Sequence, residues 1–164
     1  MPVENYFLLL SALLLCVYAV LIQAYGNWFG RLKEFIPATD QNPLTHFSII
    51  IPARDEEQNI GKCIRAIETG SYPRALFEII VADDFSTDQT ARVVMELQAE
   101  FGNIRLLRLE EIVHSKINSY KKKSIESAIA DSANEWIVTT DADCIPPHQW
   151  LEYFDASIRK QDPV

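Results

Sequence analysis

Two aspartates separated by one alanine, Asp141 and Asp143, have the residue types and spacing for metal chemistry. They follow an apolar, β-rich run that begins at Trp136. Side chains alternate faces along a strand, so both carboxylates point the same way if strand geometry persists through them. Like charges held that close repel unless a cation lies between them, and oxygen-preferring Mg²⁺ or Mn²⁺ suits such a pair. For an isolated Asp-x-Asp, a turn that caps the next helix is the commoner explanation.

Two earlier predicted strands also end in charged residues. Arg54, Asp55 and Glu56 follow the first of these strands, and Asp83 and Asp84 follow the second. Ligands of open α/β sheets bind beyond the carboxyl ends of the strands. Three acidic strand ends at one edge would be costly without a cation or hydrogen-bond donors. The pattern therefore favours a ligand site with a divalent cation over a simple helix cap.

The elements that must position these residues alternate along the chain. Runs rich in β-branched residues predict strands at 47–51, 77–82 and 104–109, and a fourth beginning near Trp136. Amphipathic stretches between and after them predict helices, the second starting at a capping box of Ser86 and Gln89 and a later one spanning 121–133. Residues 110–119 read as a loop. Alternating strands and helices predict an α/β fold with a mainly parallel sheet.

The usual phosphate-binding loops are missing from the sequence. Pro-Ala-Arg-Asp-Glu-Glu follows the first strand, where a dinucleotide fold would have Gly-x-Gly-x-x-Gly, and there is no Gly-x-x-x-x-Gly-Lys-Ser/Thr loop. Phosphates would have to be bound through a metal and basic side chains instead. A lysine cluster is the obvious supply, although it reads equally well as a solvated helix start: Lys116, Lys121, Lys122 and Lys123.

Composition argues against one class of partner and favours one cellular compartment. The 164 residues carry a formal charge of −8, and residues after position 30 hold all fifteen Lys and Arg against 22 Asp and Glu. An acidic domain argues against nucleic acid as a partner, because such binding relies on Lys and Arg neutralising phosphates. The three cysteines, Cys16, Cys63 and Cys144, match no metal or redox spacing. A reduced, cytosolic setting is expected.

The N-terminal stretch predicts a membrane anchor. Residues 6–25 are almost unbroken apolar sequence, about the 20 residues that cross a bilayer as a helix. The first basic residues, Arg31 and Lys33, follow this stretch and predict a cytoplasmic C-terminal side. We therefore expect a transmembrane helix over 1–25, a juxtamembrane connector over 26–46 and a domain over 47–164. In this reading the protein is a single-pass protein of the cell membrane.

Three segments carry a resemblance to a known family. They are Ser-Ile-Ile-Ile-Pro-Ala-Arg-Asp-Glu-Glu from residue 48, Val-Ala-Asp-Asp-Phe-Ser-Thr-Asp from residue 81, and Thr-Asp-Ala-Asp from residue 140. Their order and spacing resemble those of family 2 glycosyltransferases over residues 47–158. The resemblance implies a GT-A fold and transfer of a sugar from a nucleotide diphosphate donor, usually UDP- or GDP-linked, to an acceptor hydroxyl. The implied partners are that donor, a lipid-linked or glycan acceptor and the membrane.

The resemblance also assigns donor-binding roles. Pro52, Arg54 and Glu56 match the loop that borders the nucleotide base and ribose. Asp83 and Asp84 match the acidic pair that contacts the base or ribose.

The remaining matches concern the diphosphate and the metal. Lys122, or its neighbour Lys121, matches a basic position that helps hold the donor. Asp141 and Asp143 match the Asp-x-Asp motif, whose carboxylates reach the donor's ribose, metal and diphosphate. The implied cofactor is Mg²⁺ or Mn²⁺, a Lewis acid that stabilises charge on the departing nucleoside diphosphate.

The sequence departs from the family pattern at three points. Relatives often have Tyr-Asn in place of Arg54-Asp55, Gly in place of Phe85, and Gly in place of Tyr120. The sequence also lacks a match to the family's general base, which lies well beyond the Asp-x-Asp motif. We therefore assign no catalytic base and expect it beyond Val164, so that this chain would be a truncated, donor-binding half.

Three polar residues after the motif, His148, Glu152 and Asp155, read as surface residues of the last helix. Two other functions remain open from the sequence alone. One is a catalytically inactive, membrane-tethered nucleotide-binding module. The other is a receiver-like or phosphoryl-transfer α/β domain, in which an acidic cluster also binds Mg²⁺.

Overall fold

A computed structural model describes residues 3–32, 42–112 and 120–161 of the chain. The chain divides into two compact units, residues 1–36 and residues 37–164. Each unit is described by itself below.

The first unit is built on one long helix, α1 (Val3–Phe29). Its segment Glu4–Phe29 has a mean hydropathy of 2.5 and is long and apolar enough to cross a membrane. The helix runs four residues past the predicted end of the span, so residues 26–29 of the predicted connector are helical. The amide of Gly30 still donates to the carbonyl of Gly26 at 3.0 Å, which closes the last turn. Residues 33–41 of that connector lie outside the described part.

The second unit alternates strands and helices in the order that the sequence predicts. Its elements are β1 (Phe47–Ala53), α2 (Ile60–Glu68), a 3₁₀ turn (Arg74–Leu76), β2 (Phe77–Asp83), α3 (Thr90–Phe101), β3 (Ile104–Arg108), α4 (Leu109–Ile112), α5 (Tyr120–Asp131), β4 (Trp136–Thr139) and α6 (Trp150–Gln161).

The strands of the described part form one parallel sheet in the order β3-β2-β1-β4. In its register Phe47 lies opposite Phe77 of β2 and opposite Trp136 of β4. The parallel pairing confirms the predicted α/β class. It also means that β1, β2 and β4 all point their carboxyl ends at the same edge.

The core lies on both faces of β1 and β2, which explains their continuous apolar sequences. Ile49 and Ile51 of β1 belong to the cluster that includes Ile64 of α2 and Val94 of α3. Ile50 points to the other face and packs with Ala128 of α5. A three-layer arrangement follows, with the sheet between α2 and α3 on one side and α5 on the other.

β1 continues past Pro52, although the sequence predicts that the strand ends there. Pro52 shares its backbone orientation with Ile50, whose carbonyl accepts a hydrogen bond from the amide of Thr140. The nitrogen of Pro52 therefore also faces the β4 side. Ile50 pairs with Thr139, the last residue of β4, so no residue of β4 lies opposite Pro52. A proline costs no ladder hydrogen bond at such a position.

Three further predictions need correction. The Ser86–Gln89 capping box does not form, because the Oγ of Ser86 accepts from the amide of Asp55 at 3.0 Å instead. The helix α3 begins later, at Thr90. The loop predicted over 110–119 starts with the last residues of the short helix α4, while residues 113–119 lie outside the described part.

Asp155 is buried rather than a surface residue of α6. It is 2% exposed, and its Oδ1 accepts hydrogen bonds from the amide of Thr45 at 3.0 Å and its hydroxyl at 2.6 Å. Arg159 pairs with the other oxygen. Burial alone would raise the pKa of Asp155, but the bonds from Thr45 and Leu44 and the charge of Arg159 outweigh it and lower the pKa. This carboxylate ties the segment before β1 to α6.

We predict that Asp155→Asn destabilises the domain by about 2 kcal/mol at neutral pH, because a charged acceptor of several hydrogen bonds is lost. Since the pKa of Asp155 is lowered on folding, its contribution is present above the unfolded pKa of about 3.9 and is lost as the pH falls below it. The difference between variant and wild type should therefore shrink in acid. Guanidinium unfolding of the full chain in detergent, followed by Trp fluorescence, measures both effects.

The matched control is Glu96→Gln, which removes an exposed ion pair with Arg92. It should change stability by less than about 0.5 kcal/mol. Equal effects of the two substitutions at neutral pH would contradict the role of Asp155.

Candidate functional site

A cleft of about 460 Å³ opens where the carboxyl ends of β1, β2 and β4 meet. It contains most of the residues that the sequence singles out. Its lining residues are Pro52, Ala53, Arg54, Glu56, Asp84, Asp141, Ala142 and Asp143. Residues up to 91 positions apart are brought together because the three strands are parallel and adjacent in the sheet.

Asp84 is the buried acid of this cleft, at 7% exposure. Its amide donates to the carbonyl of Ala53 at 2.8 Å, which extends the pairing of β1 and β2 by one step. Its Oδ2 lies 4.0 Å from Nη1 of Arg54, while Oδ1 has no hydrogen-bond partner among the described residues. Burial raises the pKa of Asp84, opposed by Arg54 and reinforced by Asp83. Asp84 therefore lines the cleft with a carboxyl group that is largely withdrawn from solvent.

Asp83 lies beneath the cleft rather than in its lining. It is 1% exposed, as expected for the last residue of the central strand β2. Its Oδ1 accepts from the amide of Ser86 at 3.3 Å. Asp83 thus shapes the loop after β2, and Asp84 is the member of the pair that faces the cleft.

Asp141 and Asp143 lie on a turn, because β4 ends at Thr139. The amide of Cys144 donates to the carbonyl of Asp141 at 3.2 Å and closes this turn. Ala142 is 3% exposed and joins the core, whereas both aspartates are exposed and line the same cleft. Both aspartates thus line one cleft, although a turn and a buried alanine bring them there and the strand geometry on which the prediction depended does not continue.

Comparison with known proteins identifies the family. The sequence profile described as Glycosyl transferase family 2 matches residues 48–163. The chain belongs to glycosyl transferase family 2. It is 31% identical to the Glycosyltransferase AglE of Haloferax volcanii over 109 residues, which is 66% of this chain and 34% of that protein.

Other relatives agree with this assignment. A Beta-monoglucosyldiacylglycerol synthase of Nostoc sp. is 28% identical over 122 residues, covering 74% of this chain and 25% of the relative. The chain thus spans only a quarter to a third of these relatives' length.

Two solved structures show the same GT-A fold. One is a mannosyltransferase from Pyrobaculum calidifontis in complex with GDP-Man and Mn²⁺, with TM-score 0.71, 21% identity, and coverage of 89% of this chain and 41% of that one. The other is TarS 1–349 of S. aureus in complex with UDP-GlcNAc, with TM-score 0.57, 21% identity, and coverage of 71% and 32%.

The lysines of this family 2 domain are not brought to the cleft in the part of the chain that the structure describes. Lys122 lies in the first turn of α5 and pairs with Glu126 at 3.7 Å. Lys123 is 3.9 Å from the same carboxylate. The side chain of Lys121 and all of Lys116 lie outside the described part. Arg54 is therefore the positive charge among the cleft-lining residues.

Sequence reasoning placed Asp55 at a strand end but missed that it and two other acids hold the cleft's two loops together. Asp55, Glu57 and Asp88 exchange hydrogen bonds between the loop after β1 and the loop after β2. The sequence feature that could have indicated these hydrogen bonds is a run of polar residues after each strand. Such residues bond to backbone amides as readily as they cap a helix, so the sequence alone does not say which amides they reach.

The carboxylates of the cleft fit a divalent cation whose coordination is completed by a ligand. Asp141 and Asp143 supply hard oxygen ligands on one exposed turn, which is the chemistry that Mg²⁺ and Mn²⁺ prefer. Among the described residues, no group of three or more His, Cys, Asp or Glu could hold an ion by itself. An ion here would complete its coordination with water molecules or with oxygens of a bound molecule.

Cys63 of α2 contacts the turn that carries Asp141 and Asp143. Its thiol lies 3.7 Å from the carbonyl oxygen of Asp141 and is fully buried. Burial, helped by Cys144 and Asp143, raises the pKa of Cys63 to about 12. Cys144, by contrast, is exposed on the turn itself.

We predict that iodoacetamide at pH 8 alkylates Cys144 at least about a hundredfold faster than Cys63, because only the accessible thiolate reacts. Peptide mass spectrometry over a time course on the full chain measures both rates. The Cys144→Ser variant should lose the fast reaction, and guanidinium should expose Cys63. Equal labelling of the two thiols in the folded chain would contradict the burial of Cys63.

Proposed function

We propose that this chain carries the donor-binding part of an enzyme that transfers a sugar from a nucleotide diphosphate sugar to an acceptor hydroxyl. The observation that carries the proposal is the convergence of Arg54, Asp84, Asp141 and Asp143 in one cleft. Relatives named as glycosyltransferases support the reaction type. Because the chain spans only 34% and 25% of those relatives, the activity of the whole protein is part of the proposal.

The nucleoside end of the donor would lie against Arg54 and Asp84. The carboxylate of Asp84 would accept an N–H or O–H from the base or ribose, and Pro52 and Glu56 would border the same group. Arg54 is 59% exposed in its side chain and can follow the ligand. UDP-GlcNAc and GDP-Man are bound by two similar structures, so either base remains compatible with the proposal.

The diphosphate would lie against Asp141 and Asp143 with a divalent cation between them. That cation would supply Lewis-acid stabilisation for the departing nucleoside diphosphate. The two aspartates would hold the cation, and Ala142 would keep their turn seated in the core. Lys122 pairs with Glu126, so it would have to leave this ion pair to assist the diphosphate. Its neighbour Lys121 is the other lysine proposed for this role.

The acceptor would be lipid-linked or a cell-surface glycan. The name of the Nostoc relative, a glucosyldiacylglycerol synthase, supports a lipid-borne acceptor, as does the apolar helix α1. The residue that deprotonates the acceptor is proposed to lie beyond Val164, as the family resemblance implies.

We predict that the full chain in detergent binds UDP or GDP in a Mn²⁺-dependent manner. Asp141→Ala/Asp143→Ala should weaken binding in Mn²⁺ at least about tenfold and remove the effect of a chelator. Isothermal calorimetry with and without EDTA measures this. Glu96→Ala/Glu100→Ala, which also removes two carboxylates but on α3, should bind like the wild type. Equal affinity in EDTA and in Mn²⁺ would contradict the metal role.

We further propose that α1 spans the cell membrane once and leaves the family 2 domain in the cytoplasm. Arg31 and Lys33 directly follow the apolar segment, which favours a cytoplasmic C-terminal side. A fluorescent-protein fusion after Val164 should fluoresce, and an alkaline phosphatase fusion there should be inactive. The charge-reversed variant Arg31→Glu/Lys33→Glu should increase phosphatase activity. An active phosphatase on the wild-type chain would overturn this orientation.

A further inference from the structure

Three successive amides of the loop after β1 (residues 54–59, the first loop) donate hydrogen bonds to side chains of the loop after β2 (residues 84–89, the second loop) and of Thr90, the first residue of α3. The amide of Asp55 donates to Oγ of Ser86 at 3.0 Å. The amide of Glu56 donates to Oγ1 of Thr90 at 2.8 Å, and that of Glu57 to a carboxylate oxygen of Asp88 at 3.0 Å. The backbone of the first loop is therefore held by the second.

The hydrogen bonds also run the other way. Oδ1 of Asp55 accepts from the amide of Thr87 at 2.7 Å and from its hydroxyl at 3.2 Å. A carboxylate oxygen of Glu57 accepts from the amide of Gln89 at 2.9 Å. Because each loop satisfies the other's backbone, neither set of bonds survives if one loop moves alone.

Both loops also contain a residue in the left-handed region of backbone conformation. Asp55 has φ +54° and Phe85 has φ +56°. An aspartate tolerates this region better than most residues, whereas a phenylalanine there is strained. Such conformations persist only where the surroundings hold them in place. The crossed hydrogen bonds between the loops supply that restraint.

Each loop begins with a residue that faces the cleft. Arg54 precedes Asp55, and Asp84 precedes Phe85, and their charged groups lie 4.0 Å apart. Asp55 itself is not among the cleft-lining residues, so it can act on a ligand only through its neighbours. The carboxylate of Asp55, the residue directly after Arg54, accepts from the amide of Thr87, three residues after Asp84, and so links the two loops near their cleft-facing residues.

We propose that Asp55 is a positioning residue, which locks the two loops together and so fixes Arg54 and Asp84 at the spacing that a nucleotide needs. The role rests on the proposed function, because it presumes that the cleft binds a nucleoside diphosphate. Asp55 contributes through the acceptor capacity of its carboxylate and through its left-handed backbone.

Two substitutions separate these contributions. Asp55→Gly keeps the left-handed backbone without strain but removes the acceptor. Asp55→Asn keeps both, because asparagine tolerates the region and its amide oxygen accepts hydrogen bonds. Calorimetry on the full chain in detergent, with UDP and with GDP in Mn²⁺, should show about tenfold weaker binding for Asp55→Gly and recovery to within about twofold for Asp55→Asn.

Hydrogen exchange without nucleotide provides a second readout. The amides of Thr87 and Gln89 should exchange faster in Asp55→Gly than in the wild type and recover in Asp55→Asn. The matched control is Glu100→Ala, which also removes an exposed carboxylate; Glu100 lies near the C-terminal end of α3 and accepts two hydrogen bonds from Arg65 of α2. Its nucleotide affinity and loop exchange should match those of the wild type.

The outcomes distinguish this inference from the proposed function. A wild-type chain that binds neither nucleotide would overturn the proposed function, and the role of Asp55 in binding with it. A wild-type chain that binds, with unchanged affinity in Asp55→Gly, would overturn the positioning role alone. Weaker binding in both Asp55 variants without faster loop exchange would also overturn it, because the loss would not come from the loop.

Discussion

Parallel pairing of β1 with β2 on one side and β4 on the other is the interaction on which the rest of this domain depends. Ile50 and Ile51 lie in the middle of this pairing and are fully buried. A shift of one residue would turn these side chains to the opposite face and break both core clusters. The buried core therefore fixes the register, and the register fixes which residues emerge together at the carboxyl edge.

That edge concentrates negative charge. Four carboxylates line the cleft with one guanidinium, that of Arg54. The domain limits the cost in two ways: Asp141 and Asp143 stay exposed to solvent, and the guanidinium of Arg54 lies 4.0 Å from the carboxylate of the buried Asp84. A negatively charged diphosphate adds to the same charge, which gives a physical reason for proposing a divalent cation with it.

Rigidity in this domain comes from side chains that bond to backbone far away in sequence. The two strand-end loops exchange hydrogen bonds across about 32 positions. Asp155 of α6 similarly holds the segment around Thr45, 110 positions earlier, and the hydroxyl of Tyr72 donates to the carbonyl of Thr45 at 2.7 Å. In both places short polar residues fasten irregular chain to the sheet and helices without any disulfide among the described cysteines.

The sequence by itself determined the order of strands and helices, the long apolar helix, the family and most of the residues that line the cleft. These follow from periodicity and from motifs that are local, because each strand and its acidic end are contiguous in the chain.

Only the tertiary structure decided which partners the polar residues take. Ser86 and Gln89 have the spacing of a helix cap, yet Ser86 bonds to the first loop. Asp155 reads as a surface residue of the last helix, yet it is buried. Lys122 matches a basic position of the family that helps hold the donor, but its side chain pairs with Glu126. A hydrogen bond or ion pair depends on which distant backbone or charge the fold brings near, and sequence spacing carries no information about that distance.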